Sequence, residues 1–169
     1  MNVLVDFGAL VEPLGGGAWT SPLRTALTFG FLGAAQALAR RGAVITSLAD
    51  AAGLGDHEAV AARLGDATGE DRHRGLALAA TLGHVDVVRA LLDAGGDPNR
   101  YNPPYAHTHS TPLHQAVAAG HLEMVRFLVE RGAHLHVRDT LYDATPLGWA
   151  EYLDQPAIAA YLLGRRAGR

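Results

Sequence analysis

The chain carries one pattern five times, and this recurrence constrains its fold more than any other feature of the sequence. Within each copy the third residue is leucine and the sixth is alanine, and the tenth is glycine in four of the five copies. The copies start at Ser21, Thr46, Arg74, Thr111 and Thr145, which are 25, 28, 37 and 34 residues apart. A recurrence at this spacing predicts an array of short, similar units that stack on one another.

The clearest copy, residues 111–136, predicts two short helices. Thr111 can cap a helix that starts at Pro112, because a threonine oxygen accepts from a free amide and proline has no amide to leave unpaired. A second apolar stripe at helical spacing follows over residues 124–129. Gly132 then stands where a left-handed residue commonly ends a helix. Neither helix is long enough to be stable alone, so the pair must stack on neighbouring pairs.

The Thr-Pro-Leu-His start of this copy, together with the recurring leucine, alanine and glycine, resembles the ankyrin repeat. The resemblance covers the chain except its extreme ends. It implies an all-α ankyrin-repeat solenoid of five helix-pair repeats with short β-turn fingers. Residues 3–11 resemble the end of a repeat, so we expect residues 1–12 to be an N-terminal half-repeat. Residues 1–169 would then form a single ankyrin-repeat domain.

Composition excludes several classes of site. The chain has no cysteine, which excludes disulfides and thiolate metal sites. All 14 basic residues are arginine, the net charge is −3, and no basic stripe suited to nucleic acid is visible. No apolar run is long enough to cross a membrane, and the N-terminus lacks the basic flank of a signal peptide. We therefore expect a cytoplasmic protein, and the arginine, alanine and glycine content favours a bacterial source.

Two stretches depart from the repeat pattern. Residues 65–73 are polar and predict a mobile loop before the third repeat. Residues 97–110 are three residues longer than the next finger, contain a stiff Pro-Pro pair, and concentrate tyrosine and histidine. We expect this segment to project from the stack as a finger, together with residues 8–20 and 134–144.

The resemblance also predicts a binding surface. Positions 8 and 9 of each repeat line the concave face in ankyrin proteins, and in this chain they are mostly apolar. With the aromatic side chains nearby, they could make partner contacts or form an aromatic-walled pocket for a small apolar molecule. The expected contact residues are Trp19, Phe29, Leu82, Tyr101, Tyr105, His107, His109, Tyr142, Trp149 and Tyr152.

Most of the nine histidines have structural explanations. His114, His84 and His121 occupy positions where the ankyrin family usually carries histidine, and we expect His57 and His73 to be solvated. His107 and His109 alternate, so they would point the same way in an extended finger. Nothing in the sequence brings three or four ligands together, so we predict no metal site, and no cofactor is implied.

These features predict a non-enzymatic protein–protein interaction module that binds through its concave face and fingers. The alternative is a small-molecule-binding protein, or a cofactor-free cyclase or lyase that acts on an apolar substrate in the concave groove. In that enzyme His107, His109 and Asp139 would be the acid–base groups, with Arg24 opposite. An enzyme would need a closed pocket, whereas a partner can bind an open groove. The expected N-terminal half-repeat leaves one end of the stack without a full cap, where a homodimer could form.

Overall fold

The structure, a computed structural model, describes residues 21–104 and 106–167 as a stack of five helix pairs. The first helices of the pairs are α1 (Pro22–Thr28), α3 (Leu48–Leu54), α5 (Gly69–Leu82), α7 (Pro112–Ala118) and α9 (Pro146–Tyr152). The second helices are α2 (Leu32–Arg40), α4 (His57–Leu64), α6 (Val85–Asp93), α8 (Leu122–Glu130) and α10 (Pro156–Ala167). The predicted all-α repeat solenoid is confirmed, and the described ranges contain no strand.

Four predictions concern residues outside the described ranges. These are the half-repeat at residues 1–12, the finger at residues 8–20, and the contact residues Trp19 and Tyr105. A helix that spans a bilayer needs about 20 apolar residues. The described part of the chain has no helix that meets this requirement.

Side-chain caps set the starts of several of these short helices. The Thr145 hydroxyl accepts a hydrogen bond from the Gly148 amide at 3.2 Å, and Pro146 follows as the first helical residue. In the second repeat Ser47 and Asp50 form a reciprocal capping box, in which the Ser47 hydroxyl accepts from the Asp50 amide at 3.1 Å. Such caps satisfy amides at the helix start that have no acceptor within the helix.

Helix α5 begins earlier than the repeat pattern predicts. A capping box between Thr68 and Asp71 starts the helix at Gly69, although the pattern places the start of this repeat at Arg74. The hydrogen bonds from Thr68 also lower the pKa of the Asp71 carboxyl. The prediction of a mobile loop over residues 65–73 is therefore wrong for its second half, because a local cap extends the helix into it.

The additional turn of α5 buries His73, which we expected to be solvated. Its side chain is only 3% exposed, and its Nε2 donates to the Tyr101 carbonyl oxygen at 2.8 Å. His73 therefore connects the third repeat to the segment that precedes the fourth.

Apolar packing between repeats forms two buried clusters. The larger joins repeats two to five, and the smaller joins repeats one to three. The recurring alanine is buried in every copy, which lets the first helices of neighbouring repeats approach closely. These alanines are Ala26, Ala51, Ala79, Ala116 and Ala150.

Polar side chains also join neighbouring repeats. His114 accepts from the Thr111 hydroxyl at 2.8 Å through Nδ1, and its Nε2 donates to the Ala144 carbonyl oxygen at 3.2 Å, beside the next repeat. Arg24 occupies the same repeat position in the first copy, and its guanidinium binds the buried Asp50 carboxylate at 2.8 Å. Arg24 thus connects repeats one and two, whereas the enzymatic alternative placed it opposite the acid–base groups.

His84 connects its repeat to the preceding one. Its Nε2 donates to the Gly53 carbonyl oxygen at 3.0 Å, and its ring lies against Gly55. Gly55 has a left-handed φ of +72°, and a Cβ added there would lie 2.6 Å from His84 Nδ1. Glycine is therefore required at this position both by the backbone conformation and by the neighbouring ring.

We predict that Gly55→Ala destabilises the protein much more than Gly132→Ala. Gly132 is also left-handed, at φ +89°, but no atom of the described residues lies within 4 Å of an added Cβ. Gly132→Ala should therefore cost about 1 kcal/mol of backbone strain, and Gly55→Ala about 2–4 kcal/mol because overpacking is added. Urea denaturation followed by circular dichroism measures the free energy of unfolding of both variants. Equal losses of stability would contradict the proposed contact with His84.

We also predict that acid destabilises the stack before its carboxylates titrate. Burial lowers the pKa of His73, His84 and His114 below the usual 6.5, although each also donates to a backbone carbonyl. The folded state then binds fewer protons than the unfolded state, so this stability is present above pH 6.5 and is lost as the pH falls through the lowered pKa values.

The free energy of unfolding, measured by urea denaturation, should fall between about pH 7.5 and about pH 5.5. His84→Gln can keep the bond to Gly53 but cannot take up a proton, so it should reduce this pH dependence. A free energy of unfolding that stays constant or increases as the pH falls over this interval would contradict the prediction.

Candidate binding surface

The first helices of successive repeats pack side by side, and the ankyrin resemblance places the concave face of the stack along this row. The face has two differently occupied halves. Helices α1, α3 and α5 line its N-terminal half, and α7 and α9 line its C-terminal half. The N-terminal half is covered by residues 101–104 and 106–110, which we call the strap.

The strap folds back onto the stack instead of projecting from it. Ala106 is buried in the same cluster as Leu78 and Leu82 of α5, and His107 Nε2 donates to the Thr28 carbonyl oxygen of α1 at 3.1 Å. The expectation that this part of residues 97–110 projects as a finger is therefore wrong. Leu82 is buried as well and does not line an open groove.

The C-terminal half contains an open cleft with a volume of about 490 Å³. Exposed apolar side chains rim it: Tyr142 is 72% exposed, Tyr152 is 89% exposed and Leu153 is 41% exposed. We call this site the aromatic cleft. It is lined by Ala118, Tyr142, Ala144, Gly148, Trp149, Tyr152 and Leu153. Tyr142, Trp149 and Tyr152 were among the expected contact residues, and the structure brings them together.

The Asp139 carboxylate fixes the geometry of the aromatic cleft. One oxygen accepts from the Leu141 and Tyr142 amides at 2.9 and 2.7 Å, and the other accepts from the Ala144 amide and the Trp149 indole at 3.0 and 2.9 Å. Four donors on one buried carboxylate hold the finger and the indole in a single arrangement.

The same hydrogen bonds decide the charge of Asp139. Burial alone raises the pKa of a carboxyl group, but the bonds from the Tyr142 amide, the Trp149 indole and the Leu141 and Ala144 amides lower the pKa of Asp139 to about 2. Asp139 is therefore ionised at neutral pH, with its oxygens occupied by hydrogen bonds. The sequence signal for this role is an aspartate that begins a turn, where its oxygens commonly accept from the amides that follow.

Histidine rings also pack against Trp149. The His114 ring meets the indole edge to face with centroids 5.2 Å apart, and the His109 ring lies 5.9 Å from it. The His107 ring is 6.0 Å from His109. A row of rings thus connects the strap to the wall of the aromatic cleft.

The side chains named for an enzymatic alternative make structural contacts. His107 donates to a backbone carbonyl, His109 packs between rings, Asp139 accepts four hydrogen bonds, and Arg24 pairs with Asp50. Among the described residues, no group of three or more histidine, aspartate or glutamate side chains is arranged to hold a metal ion.

Two further contact residues are placed by the structure. Phe29 lies at the end of α1 and is 62% exposed. Tyr101 is partly exposed, and its hydroxyl donates to the Arg138 carbonyl oxygen, which connects the strap to the next finger. Phe29 is thus available to a partner, whereas Tyr101 is already used within the chain.

A second cleft, of about 370 Å³, lies beside α10 and is more polar. Arg138 and Arg166 line it together with Leu135, Leu147 and Leu162. Arg138 donates to the Asp143 carboxylate at 3.2 Å, so part of its charge is already balanced. The aromatic cleft has the more apolar lining and is the stronger candidate for a binding surface.

Comparison with known proteins places this chain beside ankyrin-repeat proteins. The family model for ankyrin repeats (three copies) matches residues 20–139 and 76–168. An ankyrin repeat-containing protein of Schizosaccharomyces pombe is 39% identical over 77 residues, which are 46% of this chain and 35% of that protein. The mouse ankyrin repeat and SAM domain-containing protein 6 is 33% identical over 98 residues, which are 58% of this chain and 11% of that protein.

Cyclin-dependent kinase inhibitor 2A of Monodelphis domestica is 33% identical over 81 residues, which are 48% of this chain and 45% of that protein. This chain thus spans less than half the length of each of these three relatives.

We predict that Asp139→Asn loosens the aromatic cleft. Asparagine offers one oxygen where the carboxylate offers two, so two of the four donors lose their acceptor. A pKa lowered from 3.8 to about 2 corresponds to about 2 kcal/mol of folding free energy. This contribution is present above pH 3.8 and is lost as the pH falls through about 2.

Asp143→Asn is the matched control, because this carboxylate lies on the same finger but is exposed and, among the described residues, pairs with Arg138. Its left-handed backbone, with φ +51°, also tolerates asparagine. Urea denaturation should show little change for Asp143→Asn and a large loss for Asp139→Asn. Equal effects would mean that the Asp139 hydrogen bonds do not stabilise the cleft.

Proposed function

Because the chain belongs to the ankyrin-repeat family, we propose that it is a non-enzymatic module that binds a protein partner through its aromatic cleft. Ankyrin repeats are generally protein–protein interaction modules. One relative, cyclin-dependent kinase inhibitor 2A, is named for the inhibition of a protein, which supports a protein as the partner here. We propose further that residues 1–169 act as one domain, as the recurring repeat pattern suggests, and that composition favours the cytoplasm of a bacterium.

The observation that carries the proposal is the exposure of large apolar side chains on a rigid wall. Tyr142, Tyr152 and Leu153 face solvent, while Trp149 behind them is held by Asp139. Tyrosine and tryptophan are enriched among the residues that contribute most to protein–protein binding. A wall that is already ordered loses little conformational freedom when a partner binds.

The charges around the aromatic cleft indicate the chemistry of the partner. Glu151 precedes Tyr152, Asp154 follows Leu153, and both carboxylates are exposed. An apolar cleft with an acidic rim suits a partner segment that inserts an aromatic or aliphatic side chain beside an arginine or lysine. Binding should therefore weaken at high salt, because rim charges act mainly on the association rate.

The test begins with a photo-crosslinking amino acid at Tyr152, which identifies the partner in contact with the cleft. The purified partner is then titrated against variants by isothermal calorimetry. We expect Tyr152→Ala to weaken binding by about thirtyfold, the effect of losing a main contact residue. Tyr152 is 89% exposed, so the substitution should leave the free energy of unfolding unchanged.

Two leucines provide a matched comparison. Leu153 lines the cleft and is 41% exposed, whereas Leu163 lies on α10 outside it and is 49% exposed. Leu153→Ala should weaken binding severalfold and Leu163→Ala should leave it unchanged. If the two variants bind equally well, or if only Leu163→Ala binds more weakly, the aromatic cleft is not the partner surface.

A further inference from the structure

We propose that the strap is a displaceable internal ligand, and that the groove beneath it is a second binding surface for a short turn-forming segment of a protein partner. The strap occupies this groove in the way a bound peptide would. The segment that replaces it would share its chemistry, a small apolar side chain followed by a hydrogen-bond donor.

The contacts of the strap come from different repeats, as those of a bound peptide do. His73 in the third repeat donates to the Tyr101 carbonyl oxygen, and Thr28 in the first repeat accepts from His107. Between these two bonds Ala106 is buried in the apolar cluster that contains Leu78. Each of these bonds pairs a histidine side chain with a backbone carbonyl oxygen, so the strap is held by two polar contacts with a buried small side chain between them.

The strap is closed at its base and reaches the groove with its tip. The Asn102 amide donates to the Ser110 carbonyl oxygen at 2.8 Å, which joins the two ends of the strap. The next finger holds this end as well, because the Thr140 amide donates to the His109 carbonyl oxygen at 2.8 Å. The tip residues Ala106 and His107 can therefore leave the groove while the base stays attached.

Several features of the closed strap are unfavourable. The Asn102 side chain is only 3% exposed, and neither its oxygen nor its nitrogen has a hydrogen-bond partner among the described residues. Within the same part of the chain, His73 Nδ1 is buried without a partner too. His107 has a left-handed φ of +61°, a conformation that costs free energy for a residue with a side chain. Opening of the tip would relax His107 and give water access to the Asn102 side chain, so the closed state carries a cost that opening removes.

Thiol labelling tests whether the strap opens independently of the fold. The chain has no cysteine, so an introduced one is the only thiol. Leu78→Cys reports on the groove beneath the strap, and Ala79→Cys, one residue further along α5, reports on the core between repeats. Ala106→Asp, combined with each, should drive the tip out of the groove.

In the Ala106→Asp background we expect the Leu78→Cys thiol to react with a maleimide at least about tenfold faster, because the local opening is more populated. The Ala79→Cys thiol should stay protected in both backgrounds, which shows that the stack remains folded. Asn102→Leu should slow labelling of Leu78→Cys, since it removes the unpaired polar group. Equal labelling of Leu78→Cys with and without Ala106→Asp would overturn the proposal.

The second measurement uses a fluorescent synthetic peptide with the sequence of residues 99–110. Fluorescence anisotropy should show saturable binding to the Ala106→Asp protein and at least about tenfold weaker binding to the unaltered protein, whose groove is occupied. No saturable binding to the Ala106→Asp protein up to about 1 mM would overturn the second surface. Tyr152→Ala should leave the affinity for this peptide unchanged, because Tyr152 lies on the aromatic cleft and not under the strap. The peptide measurement therefore tests the second surface independently of partner binding at the aromatic cleft.

Discussion

The stack depends on side chains that belong to one repeat and are completed by a neighbouring one. The His114 imidazole is buried, and its Nε2 finds its acceptor, the Ala144 carbonyl oxygen, beside the next repeat. The Asp50 carboxylate is buried with its charge and is paired by Arg24 of the preceding repeat. A helix pair taken out of the stack would leave such groups without partners. The repeats are therefore stable together and not singly.

Local chemistry explains which parts of the fold could be predicted from the sequence. The helix that starts at Pro112 and the second helix of the same repeat follow from residues a few positions apart, and these predictions are confirmed. The early start of α5 was also signalled locally, by Thr68 and Asp71, but the repeat pattern suggested a loop there. The strap could not be predicted, because its contact to Thr28 joins residues that no periodic pattern relates.

The sequence predicted which aromatic residues form the candidate site, but it did not predict how they are arranged. Tyr142, Trp149 and Tyr152 stand out in the sequence because large aromatic side chains are few, and the structure places all three on the aromatic cleft. Asp139 looked like a carboxylate for acid–base chemistry. Its four hydrogen bonds, which come from a finger and from a helix, make it instead the ionised centre on which the cleft is built.

The bond between His107 and Thr28 also changes how this stack should fold. In an ordinary repeat array each unit contacts only its neighbours, so contacts are local in sequence and the ends can fray separately. This bond joins residues 79 positions apart and closes the first repeat onto the segment before the fourth. A long-range contact raises the mean sequence separation of contacts, which slows folding. The bond also couples the first repeat to the middle of the array. The first repeat can therefore unfold locally only after the hydrogen bond between His107 and Thr28 has broken.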